Sequence, residues 1–181
     1  MVAKAIKPKK CKVCTEVYLP VRPLQFVCGP LCGLKYAKKL RMKVNRKEYK
    51  EAKVKMKSRA DWLKEAQTVF NKFIRLRDAD YCCISCGQDH LGQYHAGHYR
   101  SVGAMPALRF NELNVHKQCA PCNHHLSGNI MNYRMGLIKK IGIDNVEWIE
   151  GNHQPLKLSI DEIKDLIAKY KAKIRLLTIE G

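Results

Sequence analysis

Nine cysteines and seven histidines give this chain of 181 residues its most reactive side chains. The cysteines fall as Cys11-x2-Cys14, Cys28-x3-Cys32, Cys82-Cys83-x2-Cys86 and Cys119-x2-Cys122. Two thiolates two or three residues apart bind a tetrahedral Zn²⁺ from one side, and a second such knuckle closes the site. Pairing by proximity predicts one zinc on Cys11, Cys14, Cys28 and Cys32 and a second on Cys83, Cys86, Cys119 and Cys122. Cys82 is left over, although on spacing alone it is interchangeable with Cys83. Four thiolates leave no open coordination position, so both zincs are expected to be structural. Between the knuckles of the second quartet runs Tyr94-His95-Ala96-Gly97-His98-Tyr99-Arg100, and around its last knuckle runs Asn111 to His125. A neutral imidazole takes a proton from water near neutral pH. An asparagine oxygen suits Mg²⁺ or Mn²⁺ better than a thiolate does. Phosphodiester hydrolysis needs both functions, because charge builds on the phosphate oxygens and on the leaving 3′ oxygen.

Residues 81–129 resemble the HNH nucleases, also called His-Me finger or ββα-metal nucleases. The resemblance aligns His98 with the catalytic histidine of a β-hairpin and Asn114, five residues before Cys119, with the asparagine that fixes the intervening loop. Asn123, following Cys122, aligns with the metal ligand on the helix behind the hairpin. It implies that His98, Asn114 and Asn123 form the catalytic set, with Mg²⁺ or Mn²⁺ on Asn123. Capping the helix that starts at the knuckle is the alternative role for Asn123. Many HNH enzymes carry an acidic or histidine metal ligand just before the base, where this chain has Gly97. His95 joins the metal shell only if the hairpin bends, since strand residues three apart face opposite ways. His125, ranked above His124, is the other candidate. His90, His116 and His153 are expected to be structural or surface residues, and Tyr99 and Tyr133 to be packing residues.

These residues need elements to hold them, and the chain reads as four segments. Residues 1–33 form a zinc finger whose folding energy comes largely from the metal. Residues 34–80 contain neither Gly nor Pro, which predicts one long helix or two abutting ones. Twelve Lys and Arg lie between Lys35 and Arg59, opposed only by Glu48 and Glu51. That stretch repels itself unless it meets phosphates, whose counterions it releases. Lys38, Lys39, Arg41, Lys43, Arg46, Lys47 and Lys50 are therefore candidate DNA contacts. Arg100 and Arg109 are candidate phosphate clamps, because a guanidinium matches phosphate oxygens in bidentate fashion. From Trp62 to Leu76 an apolar stripe predicts a core-facing helix. Residues 81–142 form the candidate nuclease core, with a helix from Met131 to Ile141 ended by Gly142. Residues 143–181 are expected to hold a short strand at Val146–Glu150 and a helix opened by a capping box at Ser159 and Glu162. The fold class expected is α+β and mostly helical: zinc finger, long basic helix, ββα-metal core with a structural zinc, and C-terminal helices.

The balance of 34 Lys and Arg against 16 Asp and Glu gives +18, which calls for a polyanionic partner. No apolar run approaches the ~20 residues of a membrane span, and the N-terminus lacks a signal peptide's apolar core. No membrane partner is expected, and a cytoplasmic location is, that of the host bacterium if a phage encodes the chain. Taken whole, the sequence resembles the NinG/Rap family of lambdoid phage recombination endonucleases. The likeness rests on both N-terminal cysteine pairs, the basic helix, Ala96 to Arg100, Leu108 to Glu112, His116 to Asn123, and Ser127-Gly128-Asn129. It implies a structure-selective DNA endonuclease that cuts D-loops and Holliday junctions. A homodimer would suit symmetric junction cutting, though no residue fixes one. Two rivals are a non-catalytic zinc module that binds nucleic acid as a recombination mediator or regulator, and a zinc-stapled protein-interaction domain.

Overall fold

A computed structural model describes residues 7–179; the outermost parts of the 1–33 and 143–181 segments, residues 1–6 and 180–181, lie outside the described residues. The chain divides into two units, one ending at Lys57 and the other beginning at Ser58. The architecture is α+β and mostly helical, with two small antiparallel sheets among the described residues.

In the first unit β1 (Lys9–Lys10) pairs with β2 (Val17–Tyr18), Lys9 opposite Tyr18. The turn between them carries Cys11 and Cys14 and closes through Thr15, whose φ is +63°. The chain returning from β2 is tied back where the Tyr18 hydroxyl donates to the Gln25 carbonyl (2.7 Å). Helix α1 (Pro30–Lys55) then starts earlier than the expected boundary at 34, because Pro30 fits the first helical position, where its missing N–H costs nothing. Cys32 consequently rides on the first turn of α1. No α1 side chain is buried. Its basic residues from Lys38 to Lys50 all face solvent, and Lys47 pairs with Glu51 at 3.8 Å.

Ser58 explains why residues 34–80 hold two helices and not one. Its hydroxyl accepts from the Asp61 N–H (3.2 Å) and the Asp61 carboxylate accepts from the Ser58 N–H (3.0 Å). This reciprocal cap opens α2 (Arg59–Arg77). The same arrangement, between Ser159 and Glu162, opens α5 (Ile160–Ile179). The apolar faces of α2 and α5 meet: Ala66, Phe70, Phe73 and Ile74 pack with Ile163, Ile167 and Tyr170. The Phe70 and Tyr170 rings stand edge to face at 4.9 Å. Tyr170 also donates to Glu112 (3.1 Å), fastening the loop that leads into the second hairpin.

That hairpin comprises β3 (Tyr94–His98) and β4 (Val115–Cys119), with Tyr94 opposite Cys119 and His98 opposite Val115. Its other side meets a second core, in which Tyr133 and Leu137 of α3 (Ile130–Ile141) pack with Val146 and Ile149 of α4 (Ile143–Glu150) and with Tyr99 and Leu108. The short strand expected at Val146–Glu150 is therefore corrected to a helix. Val146 and Ile149, three apart, share one buried helical face, while Trp148 is half exposed on the other. A strand would instead place Val146 with Trp148.

Asp78, which ends α2, joins three elements although it is only 1% exposed. Its carboxylate accepts from Arg77 (2.8 and 3.0 Å), from Lys140 of α3 (2.8 Å) and from the Lys117 N–H of β4 (3.0 Å). Burial would raise its pKa, but the adjacent His116 ring and the hydrogen bonds from Arg77 and Lys140 hold it well below the usual carboxylate range.

Candidate active site and metal centres

The two cysteine quartets assemble as the spacing predicts. In each, the four sulfurs lie within 4.8 Å of one another. Tetrahedral zinc at ~2.3 Å from each sulfur sets neighbouring sulfurs ~3.8 Å apart. Cys14 and Cys28 are 3.5 Å apart and Cys86 and Cys119 are 4.0 Å apart, so each quartet could hold one such ion. Cys83 is the buried member of the second set, and Cys82 is exposed and outside it. Backbone N–H groups already support thiolates. Burial opposes ionisation of Cys11, yet the N–H groups of Cys14, Val13 and Cys28 outweigh it and lower its pKa to about 6. Cys28, hydrogen-bonded to Cys14, Cys32 and Cys11, is pushed up to about 12. Four crowded thiols do not all ionise without a cation, and a divalent metal resolves that conflict. His90, expected to be structural, sets its Nε2 3.2 Å from Cys86 Sγ.

The second quartet staples the β3–β4 hairpin to the turn that follows it. Cys119 ends β4, and Cys122 lies in a π-helical turn, Pro121–His125. Asn123 sits within that turn and is partly exposed. The cap position is Ala120, so Asn123 does not cap the helix. Among the described residues no hydrogen bond engages its side-chain amide.

Asn114 clasps the loop joining the two strands. It is fully buried. Its Oδ1 accepts from the Arg100 N–H (2.8 Å), and its Nδ2 donates to the carbonyls of Arg100 (3.0 Å) and Leu108 (3.1 Å). Its own carbonyl accepts from the Tyr99 N–H (2.9 Å). Both ends of the loop are thus fixed beside His98. The loop then delivers the Arg109 carbonyl to His98 Nε2 at 3.0 Å. A carbonyl only accepts, so Nε2 carries the hydrogen, and the neutral ring keeps its lone pair on Nδ1. Burial lowers the pKa of His98, assisted by the Arg109 charge and opposed by the Arg109 and Ala96 carbonyls. The ring is accordingly neutral at pH 7 and able to accept a proton.

Gly97, the residue before His98, has no room for a side chain. A Cβ there would collide with Oε1 of Gln118. The Gln118 amide is fixed because Nε2 donates to Ser85 Oγ (2.7 Å) and the Gly128 carbonyl (2.6 Å). Tyr133 donates to the Gly97 carbonyl (2.8 Å).

The remaining candidates divide. The β3–β4 register is unbroken, so His95 and His98 leave opposite faces of β3. His95 meets His124, not the higher-ranked His125, edge to face at 4.6 Å. Burial, then the charges of His124 and Arg75, lower the His95 pKa. No hydrogen bond or ring contact joins His98 to Asn123. Arg109 donates from Nε to Gln67 of α2 (2.8 Å), whereas Arg100 donates to the Glu150 carbonyl (3.2 Å) at the end of α4. His116 is buried and neutral: Nε2 donates to the Leu113 carbonyl (3.0 Å) and Nδ1 accepts from Arg77 (3.0 Å). Arg59 is expected only as the last residue of the basic stretch, and nothing in the sequence singles out Gln67. No described helix is long and apolar enough to cross a membrane.

Comparison with known proteins matches residues 3–180 to the family model described as Bacteriophage Lambda NinG protein. Protein ninG of Escherichia phage lambda is 41% identical over 195 residues, covering 97% of this chain and 95% of that protein. Protein ninG of Salmonella phage P22 is 40% identical over 187 residues, covering 92% of each. Protein ninG of Escherichia phage 933W is 40% identical over 185 residues, with the same coverage. No solved structure matches the chain. With residues 3–180 matched and its cysteine quartets assembled, the chain belongs to the NinG family of bacteriophage proteins.

Proposed function

We propose that the protein is a divalent-metal-dependent DNA endonuclease of the HNH type that cuts branched recombination intermediates, D-loops and Holliday junctions. The observation that carries the reading is the imidazole of His98, held through Nε2–H by the Arg109 carbonyl with Nδ1 left as a base. In the proposed reaction His98 Nδ1 takes a proton from a water molecule. The water oxygen bonds to phosphorus as the bond to the 3′ oxygen breaks, and that oxygen then takes a proton from solvent. Asn114 keeps the loop, and with it the Arg109 carbonyl, in place. Asn123 offers an oxygen to Mg²⁺ or Mn²⁺, which when bound would offset charge on the phosphate and the leaving oxygen. Exposed Lys and Arg of α1 would grip DNA arms. Branch preference follows only from the family resemblance, and a pair of copies would suit the symmetry of a junction.

A second reading, a zinc module that binds nucleic acid without cutting it, draws support from the fully exposed basic face of α1. Linear duplex, single strand, D-loop and four-way junction incubated with Mg²⁺, Mn²⁺ or EDTA separate the two. Metal-dependent cutting of the branched substrates is expected. Intact DNA under every condition would favour the binder, and equal cutting of linear and branched DNA would remove the branch preference alone.

A further inference from the structure

Arginines of the unit beginning at Ser58 differ in their partners. Arg134 is neutralised by Glu150 and Arg77 by Asp78, both at hydrogen-bond distance. Arg59 and Arg109 instead share a pocket of about 200 Å³ in which no lining residue is acidic. Apart from the two arginines its lining is apolar, Leu63, Phe110, Leu156 and Leu158 among it. Each guanidinium is anchored to a neutral oxygen through Nε alone, Arg59 to the Leu158 carbonyl (2.8 Å) and Arg109 to Gln67 Oε1 (2.8 Å). A guanidinium has five N–H donors, so both forks keep donors for a further acceptor. Burial and the neighbouring Arg59 charge lower the pKa of Arg109, the signature of like charges held together. An anion between them would relieve that repulsion, and apolar walls strengthen the attraction.

We propose that Arg59 and Arg109 form a phosphate subsite that receives a backbone phosphodiester flanking the one to be cut. The flanking position rests on the nuclease reading and on chain geometry: the residue that supplies one guanidinium also supplies the carbonyl holding His98. Arg59 is thereby a binding residue for DNA, and Gln67 a positioning residue that aims Arg109. An occupied subsite would lock Arg109 and with it the orientation of the base.

The test follows the Nε–H resonances of ¹⁵N-labelled arginine in the zinc-loaded full-length chain, without Mg²⁺, as inorganic phosphate or a short DNA duplex is added. Arg59 and Arg109 should respond together, with one dissociation constant for each probe. Arg59→Gln should weaken the Arg109 response about tenfold or more, since a hydrogen bond to a charged group is lost. Arg59→Lys should keep part of it. An unmoved Arg134 resonance checks that each variant folds. Separate dissociation constants, or no response to either probe, would overturn the subsite. A response to phosphate but not to DNA would overturn its assignment to the DNA backbone. DNA left intact with every metal would remove the nuclease reading while a joint response kept the subsite, and the reverse pattern would remove the subsite alone.

Discussion

The Nε2 of His98 lies 3.0 Å from the backbone carbonyl of Arg109, eleven residues away, and this one hydrogen bond decides which nitrogen of the ring is basic. Burial holds the His98 pKa below its ordinary 6.5. Protonation removes the base, so activity is lost as pH falls through the lowered value and not before. Single-turnover cleavage measured from pH 5 to 8 at fixed Mg²⁺ should therefore reach its plateau with a midpoint below 6.5. A midpoint above 6.5 would mean that the group titrating is not His98 in this setting.

Gly97 and Gln118 occupy one space. Gly97→Ala should destabilise the fold by about 1–3 kcal/mol, the range for overpacking, read by urea denaturation. Because the clash is with Oε1 of Gln118, the cost should shrink in a Gln118→Ala background. Additive costs would show that some other neighbour meets the new methyl group.

Metal content separates the adjacent thiols. Wild-type protein should carry two zinc ions per chain. Cys83→Ser should lose one and Cys82→Ser neither, since Cys82 is exposed and outside the quartet. Zinc lost from Cys82→Ser instead would reverse the pairing.

Asp78 is the buried hub of the second unit. Removing its charge leaves Lys140 and Arg77 without their carboxylate, so Asp78→Asn should cost roughly 3–5 kcal/mol. Its pKa is depressed in the fold, so its contribution is full above the unfolded carboxylate pKa of ~3.9 and fades as pH falls below it. Wild type should lose stability on acidification through that window more steeply than Asp78→Asn. Parallel pH profiles would contradict the role.

What the sequence made legible was local. Paired cysteines at two- and three-residue spacing announce a knuckle, and Ser159 with Glu162 announces a helix start. The equivalent signal at Ser58 and Asp61 was equally readable and breaks the basic stretch into two helices. Val146 to Glu150 misled because five residues fit both periods, and only the packing of Val146 with Ile149 against α3 selects the helix. Contacts between distant residues were not legible at all. Nothing near His116 in sequence points to Asp78, nothing near His95 favours His124 over His125, and nothing near Arg109 points to Arg59. Gly97 was visible as a departure from the HNH pattern, but its cause lies across the hairpin in Gln118.

The central claim is that His98 is the base of a nuclease. The most direct measurement compares wild type and His98→Ala, both with two zinc ions bound, for cleavage of a four-way junction in Mg²⁺. The expected result is unchanged junction binding with cleavage reduced by roughly 10²–10⁴-fold, the contribution of a general base. Equal cleavage by the two proteins would contradict it.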